Sequence, residues 1–257
     1  MFAAILITGC QAETVSHSPQ NDLGLLWVNH AAEYSAITMQ VYQAAERDLP
    51  SLVADDSWSA MPGHPVDPAL PPAVILDVDE TTISNAKFQI AFERPMEQWK
   101  LEKWNDEHIS DPVPGVVRFV NAAQAAGVTV FFVTNRPCDN RDNGPDPCPQ
   151  KKDTVRDIGE LGISTDEDHV LLAGENGWDR AKIARRKFVA ETHRVIMIFG
   201  DDLGDFAPCV RISLYGPCTA PASKESRAQL VWEHQELWGR GWYILPGPMH
   251  GSWTSFR

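Results

Sequence analysis

Apolar side chains recur every three to four residues from Asp22 to Asp48, at Leu23, Leu26, Trp27, Ala31, Tyr34, Ile37, Val41 and Ala45. That spacing predicts an amphipathic helix with Asp22 as its N-cap. Residues 50–72 hold six prolines and read as a connecting loop. Ala73–Leu76 is a short, unbroken apolar run, as expected of a buried parallel strand. After a helical stretch over 84–110, Pro114-Gly115 opens another helix, Val116 to Ala126. Three more apolar runs follow, Val128–Val133, His169–Leu172 and Val195–Phe199. Helical patterns over Lys151–Leu161 and Asp179–Glu191 separate them. This alternation predicts an α/β fold, a doubly wound parallel sheet with helices on both faces.

The polar residues that end these runs carry the candidate chemistry. The first run stops in Asp77-Val78-Asp79-Glu80-Thr81, the second in Thr134-Asn135-Arg136, the fourth in Gly200-Asp201-Asp202-Leu203-Gly204-Asp205. Open α/β sheets bind ligands at the carboxyl ends of their strands, so the three tips are expected at one site. Alternate side chains of a strand tip point the same way, which aims Asp77 and Asp79 into one volume. Two close carboxylates repel unless a cation or a shared proton holds them, so the pair implies a metal site, an acid/base pair, or both. An Asp-rich turn is the bland alternative for any one tip; the three together are far more specific.

Composition narrows the partners. The chain has 257 residues, 43% hydrophobic and 22% charged, with a net charge of −13. That balance argues against nucleic acid or an anionic membrane surface. It also means that an anionic substrate needs a local reversal of field, from a metal or placed Lys and Arg. Residues 1–9 are apolar, and Ile7-Thr8-Gly9-Cys10 resembles a bacterial lipoprotein signal with Cys10 as the lipidated residue, although no Lys or Arg precedes the run. We therefore expect residues 1–21 to be a signal, anchor and tether, and 22–257 the folded domain. Gln11 after Cys10 directs the expectation to the outer membrane. The other four cysteines, Cys138, Cys148, Cys209 and Cys218, bracket two short loops. Two local disulfides in an oxidising compartment fit best, with zinc ligation the weaker rival at such spacings. His30, His108 and His169 show no metal-ligand spacing, and Gly-x-Ser-x-Gly is absent.

DVDETT, VTNR, Lys182-x-x-Arg185 and GDDLGDF together resemble the four motifs of the haloacid dehalogenase superfamily. More closely, the chain resembles the class C bacterial acid phosphatases, which include lipoprotein 5′-nucleotidases. The likeness runs from about Leu25 to Trp253 and takes in Ala32–Tyr34, the Trp99/Trp104 segment and LPGPMHGSW. It implies a haloacid-dehalogenase-like sheet with a small, mainly helical cap, and hydrolysis of small phosphate monoesters, 5′-nucleotides among the candidates.

By the same resemblance Asp77 is the nucleophile and Asp79 the general acid, then base. Mg²⁺ is held by the Asp77 carboxylate, the Asp79 carbonyl and Asp201. Thr134, Asn135 and Lys182 bind phosphate, Arg185 supports Lys182, and Asp205 orients Lys182 or a metal-bound water. Trp99 and Trp104 are stacking candidates for a base, although Trp is more often core. Two positions depart from the family: Asp202 stands where Asn is usual, adding charge beside the metal, and His250 where Tyr is usual. Two rivals remain open at this stage, a phosphotransferase to alcohol acceptors and a non-catalytic binding protein on the same fold. The sequence equally leaves a monomer or a homodimer open.

Overall fold

The computed structural model describes residues 19–91, 98–107, 110–140, 144–212 and 218–256. Cys10 lies outside them, and the Trp99 side chain is likewise outside what is described. Among the described residues no helix is long and apolar enough to cross a membrane.

The centre is a five-stranded parallel sheet of β1 (Pro72–Leu76), β4 (Thr129–Pro137), β5 (Val170–Ala173), β6 (Arg194–Gly200) and β7 (Trp242–Ile244), in the order β5-β4-β1-β6-β7. β1 is flanked on both sides, so alternate residues enter two different cores. Val74 and Leu76 pack with Tyr42, Phe119, Phe132 and Phe199 on one face. Ala73 and Ile75 pack with Val133, Val189, Ile198 and Trp242 on the other. Helices α2 (Ala32–Ala54), α5 (Val116–Ala125) and α6 (Pro149–Glu160) supply the first face, and α7 (Ile183–Ala190) the second. Gly115 enters α5 at φ 100°, and a Cβ there would stand 3.2 Å from Met39 and Tyr42 of α2. The parallel sheet with helices on both faces is as expected.

Several boundaries differ. The first helix is two, α1 (Pro19–His30) and α2, with Ala31 extended between them. α2 continues through Pro50 to Ala54, because Leu49 and Leu52 are buried in the core. That burial outweighs the roughly 3 kcal/mol a helical proline costs. The stretch over 84–110 is not one helix. It holds the strand β2 (Ile83–Ser84), α3 (Ala86–Ala91) and α4 (Gln98–Asp106), after which β3 (Asp111–Pro112) pairs antiparallel with β2. These pieces stand beyond the carboxyl end of β1 and wall the cleft there through Asn85, Gln89, Leu101 and Asn105. α8 (Lys224–Glu233) and β7, which follows it, were not expected.

Both cysteine pairs are disulfides, Cys138–Cys148 and Cys209–Cys218. The first links the end of β4 to the start of α6, whose Thr154 and Asp157 hold the cleft residue Arg136. Replacing Cys138 and Cys148 by serine is expected to cost about 3 kcal/mol, the chain-entropy value for so short a loop. Urea unfolding of the double variant checks this, and a loss below about 0.5 kcal/mol would mean the loop is held by other contacts.

Candidate active site

β1 delivers Asp77 in an extended backbone, its N–H still donating to the Phe199 carbonyl of β6 at 3.0 Å. The chain then turns sharply. Thr82 Oγ1 donates to the Asp77 carbonyl at 2.7 Å, and Glu80 takes a left-handed backbone at φ 62°. This turn leaves Asp77 and Asp79 both lining one cleft of about 260 Å³.

Asp77 meets residues from two other elements. Lys182, the residue that leads into α7, donates from Nζ to Asp77 Oδ1 and pairs with Asp205 Oδ1 at 2.7 Å. Asp77, Asp201 and Asp205 place carboxylate oxygens within 4.8 Å of one another. Asp77 and Asp205 thus share one ammonium, with the Asp201 carboxylate beside them. Burial raises the pKa of Asp77, with Asp205 and Asp79 adding to it while Lys182 opposes. Burial also raises Asp201 well above the usual carboxylate range, reinforced by Asp205, Asp77 and Glu80. Asp201 Oδ2 is buried with no hydrogen-bond partner. An orphaned carboxylate oxygen in an all-oxygen, anion-rich cluster has the donor chemistry of a hard divalent cation. The residues fit a metal.

The second tip holds Asp79. Arg136 Nε and Nη2 both donate to its carboxylate, at 3.2 and 3.0 Å, and Asn85 Nδ2 adds a third bond at 2.9 Å. The far side of Arg136 is fixed by Asp157 Oδ2 at 2.5 Å, with Thr154 Oγ1 at 3.4 Å. Burial works against the Asp79 charge, but Arg136 and Asn85 outweigh it and hold its pKa below the ordinary value. Thr134 is fully buried, with Oγ1 3.5 Å from Asp79 Oδ2. Its carbonyl accepts from Arg185 Nη1, while Arg185 Nη2 donates to Asn135 Oδ1 at 2.8 Å and to the Asp179 carbonyl at 2.9 Å. Arg185 is wholly buried, and burial pulls its pKa down to about 10. It braces the second tip instead of touching Lys182.

At the third tip Asp202 does not face the carboxylate cluster. It caps the following turn, accepting from Gly204 N at 2.8 Å and from Ser252 Oγ at 2.8 Å and its N–H. The Asp202 N–H in turn donates to Asp205 Oδ2 at 3.0 Å. These bonds and Arg211 hold the Asp202 pKa low against its burial. The charge expected to weigh on the metal is therefore spent on the C-terminal segment.

The cleft brings together Asp77, Asp79, Asn135, Lys182 and Asp201, with Thr134 just behind. It does not include Trp104, whose ring packs on Phe88 and whose Nε1 donates to Ser110 Oγ at 3.1 Å. Three participants had no assigned role from the sequence: Arg136, and the pair Glu80 and His250. His250 Nε2 lies 2.7 Å from Glu80 Oε2, and that carboxylate pushes the imidazole pKa up to about 9 against burial. Arg136 had a signal, its place in Thr-Asn-Arg; the Glu80–His250 pair spans 170 residues and had none.

A family model described as HAD superfamily, subfamily IIIB (Acid phosphatase) matches residues 8–253. The class C acid phosphatase of Bacillus anthracis, solved with tungstate bound, is 25% identical with a TM-score of 0.70, covering 91% of this chain and 86% of that one. A second structure of the Bacillus anthracis class C acid phosphatase gives 24% identity and the same TM-score and coverage. With an aspartate cluster at the carboxyl edge of the sheet and a family match over nearly its whole length, the chain belongs to the acid phosphatases of HAD subfamily IIIB, hydrolases of phosphate monoesters.

Proposed function

We propose a Mg²⁺-dependent acid phosphatase that works through an aspartyl-phosphate. The observation that carries this reading is Asp77 at the cleft floor, gripped by Lys182 beside Asp201 and Asp205. Asp77 attacks phosphorus as the ester oxygen leaves, and Asp79 gives that oxygen its proton. Asp79, now a carboxylate, takes a proton from water, which attacks the aspartyl-phosphate and releases inorganic phosphate and Asp77. Lys182 and the Thr134–Asn135 tip hold the phosphoryl oxygens. Mg²⁺, held by the Asp77 and Asp201 carboxylates and the Asp79 carbonyl, supplies the positive charge that lets a carboxylate approach a phosphate dianion. Phosphate oxygens also offer Arg136 a competing anion, which frees Asp79 to accept its proton.

The tungstate of the Bacillus anthracis relative, a tetrahedral oxyanion like phosphate, supports the same reading. Asn85 and Asn105 line the cap side of the cleft, and the buried Oδ1 of each lacks a partner. Such acceptors favour leaving groups with hydroxyl or amine donors, 5′-nucleotides among them. Trp104 lends a base no stacking surface, since its ring packs on Phe88. The Cys10 context and the two disulfides support an exported, lipid-anchored enzyme.

Hydrolysis of p-nitrophenyl phosphate is expected to stop in EDTA and to return on adding Mg²⁺. Undiminished turnover in EDTA would remove the metal from the reading, and none from pH 4 to 8 with Mg²⁺ supplied would remove the chemistry.

A further inference from the structure

One wall of the cleft carries charge that the phosphoryl chemistry leaves unused. Arg180, two residues before Lys182, lines the cleft and is exposed at its edge. Among the described residues its guanidinium pairs with no carboxylate and donates no hydrogen bond to the protein. Arg211 lines the same cleft, with Nη2 3.5 Å from Asp202 Oδ2. That pairing is long, because Asp202 is already occupied by Gly204 and Ser252. Arg227 stands close by, donating to Ser252 Oγ at 2.6 Å. Arg211 and Arg227 therefore stand beside one already occupied carboxylate, and Arg180 adds a third guanidinium near Arg211, in a chain whose net charge is −13.

Such crowding is unfavourable on its own. Partial desolvation at the cleft edge, and after it Arg211, pushes the pKa of Arg180 below the arginine range. Like charges held together in a cleft become favourable when an anion lies between them, and guanidinium forks match carboxylate and phosphate oxygens two at a time. The cleft, about 260 Å³, has room for a phosphoryl group and a small leaving group.

We propose that Arg180 and Arg211 form a second anion subsite, selecting phosphate monoesters whose leaving alcohol carries a further phosphate or carboxylate. This rests on the proposed seat of the phosphoryl group at Asp77, from which the leaving group extends along the arginine wall. Catalysis needs only the first phosphate; the subsite adds affinity for the second anion, so its effect falls mainly on KM.

Two matched pairs test it at fixed ionic strength: fructose 1,6-bisphosphate against fructose 6-phosphate, and 3-phosphoglycerate against glycerol 3-phosphate. The member that carries a second anionic group is expected, in at least one pair, to have a kcat/KM about tenfold higher, with most of the gain in KM. Arg180→Gln should bring that ratio close to one, and Arg180→Lys should keep part of it. A preference in one pair alone supports the subsite and identifies its anion. Ratios near one in both pairs, or a preference that survives Arg180→Gln, overturn it. Failure on all four esters by protein that still hydrolyses p-nitrophenyl phosphate overturns the subsite alone. Loss of p-nitrophenyl phosphate hydrolysis as well overturns the functional reading beneath it.

Discussion

Asp77→Asn is expected to lower kcat on p-nitrophenyl phosphate by a factor on the order of 10⁴ or more, the scale seen when a nucleophile is deleted. An amide oxygen is a poor nucleophile towards phosphorus, and no other described carboxylate sits at the end of β1 in the same extended backbone. The fold should survive. Asn has the same shape, and Lys182 keeps Asp205 as its partner at 2.7 Å. Removing one of three crowded carboxylates also relieves repulsion, so thermal stability without metal should be equal or higher. Activity within tenfold of the parent would take the nucleophile role away from Asp77. A sharp drop in melting temperature would show that the side chain is needed for folding, contrary to the geometry.

Lys182→Met should damage both folding and turnover. The ammonium is buried and, among the described residues, is the one cation paired with both the Asp77 and Asp205 carboxylates. Its removal strands carboxylates in a low-dielectric site, which costs about 3–5 kcal/mol when a buried pair is broken. A bound divalent cation can partly replace the lost charge. The variant's urea midpoint should therefore fall steeply in EDTA and recover with Mg²⁺, by a wider margin than the parent's. Its kcat should drop by about a hundredfold or more even when metal is saturating, because the phosphoryl oxygens lose a charge aimed at them. Parent-like stability in EDTA would show that Lys182 does not balance the cluster.

What the sequence made legible was whatever depended on near neighbours. The Ala73–Leu76 run and its two aspartates predicted a buried strand and its tip, because four apolar residues between turn signals leave little choice. Lys182 and Arg185 were readable as a pair, but not the division of labour that sends one to Asp77 and the other to Thr134. β7 escaped because Trp242–Ile244 is too short to show a period. α2 ran past its proline because burial of Leu49 and Leu52 is a tertiary effect invisible to local propensity. Arg136 acts through Asp79 and Asp157, 57 and 21 residues away, so only the fold gives it a task. Asp202 was legible as an oddity of charge, and the Ser252 N–H and hydroxyl that absorb it were not.

The stretch from Gly247 to Ser252 closes over the aspartate cluster from the far end of the chain. A Cβ on Gly247 would lie 2.5 Å from Asp201 Oδ2, His250 meets Glu80 and Ser252 meets Asp202. Contacts spanning 170 residues form late, since closing so long a loop costs entropy before it returns anything. A growing polypeptide thus carries its nucleophile long before it can use it, and stays harmless to phosphate esters around it until the Gly247–Ser252 segment has docked. Cutting the chain past β7, between Gly247 and Ser252, would open the cleft while sparing the sheet.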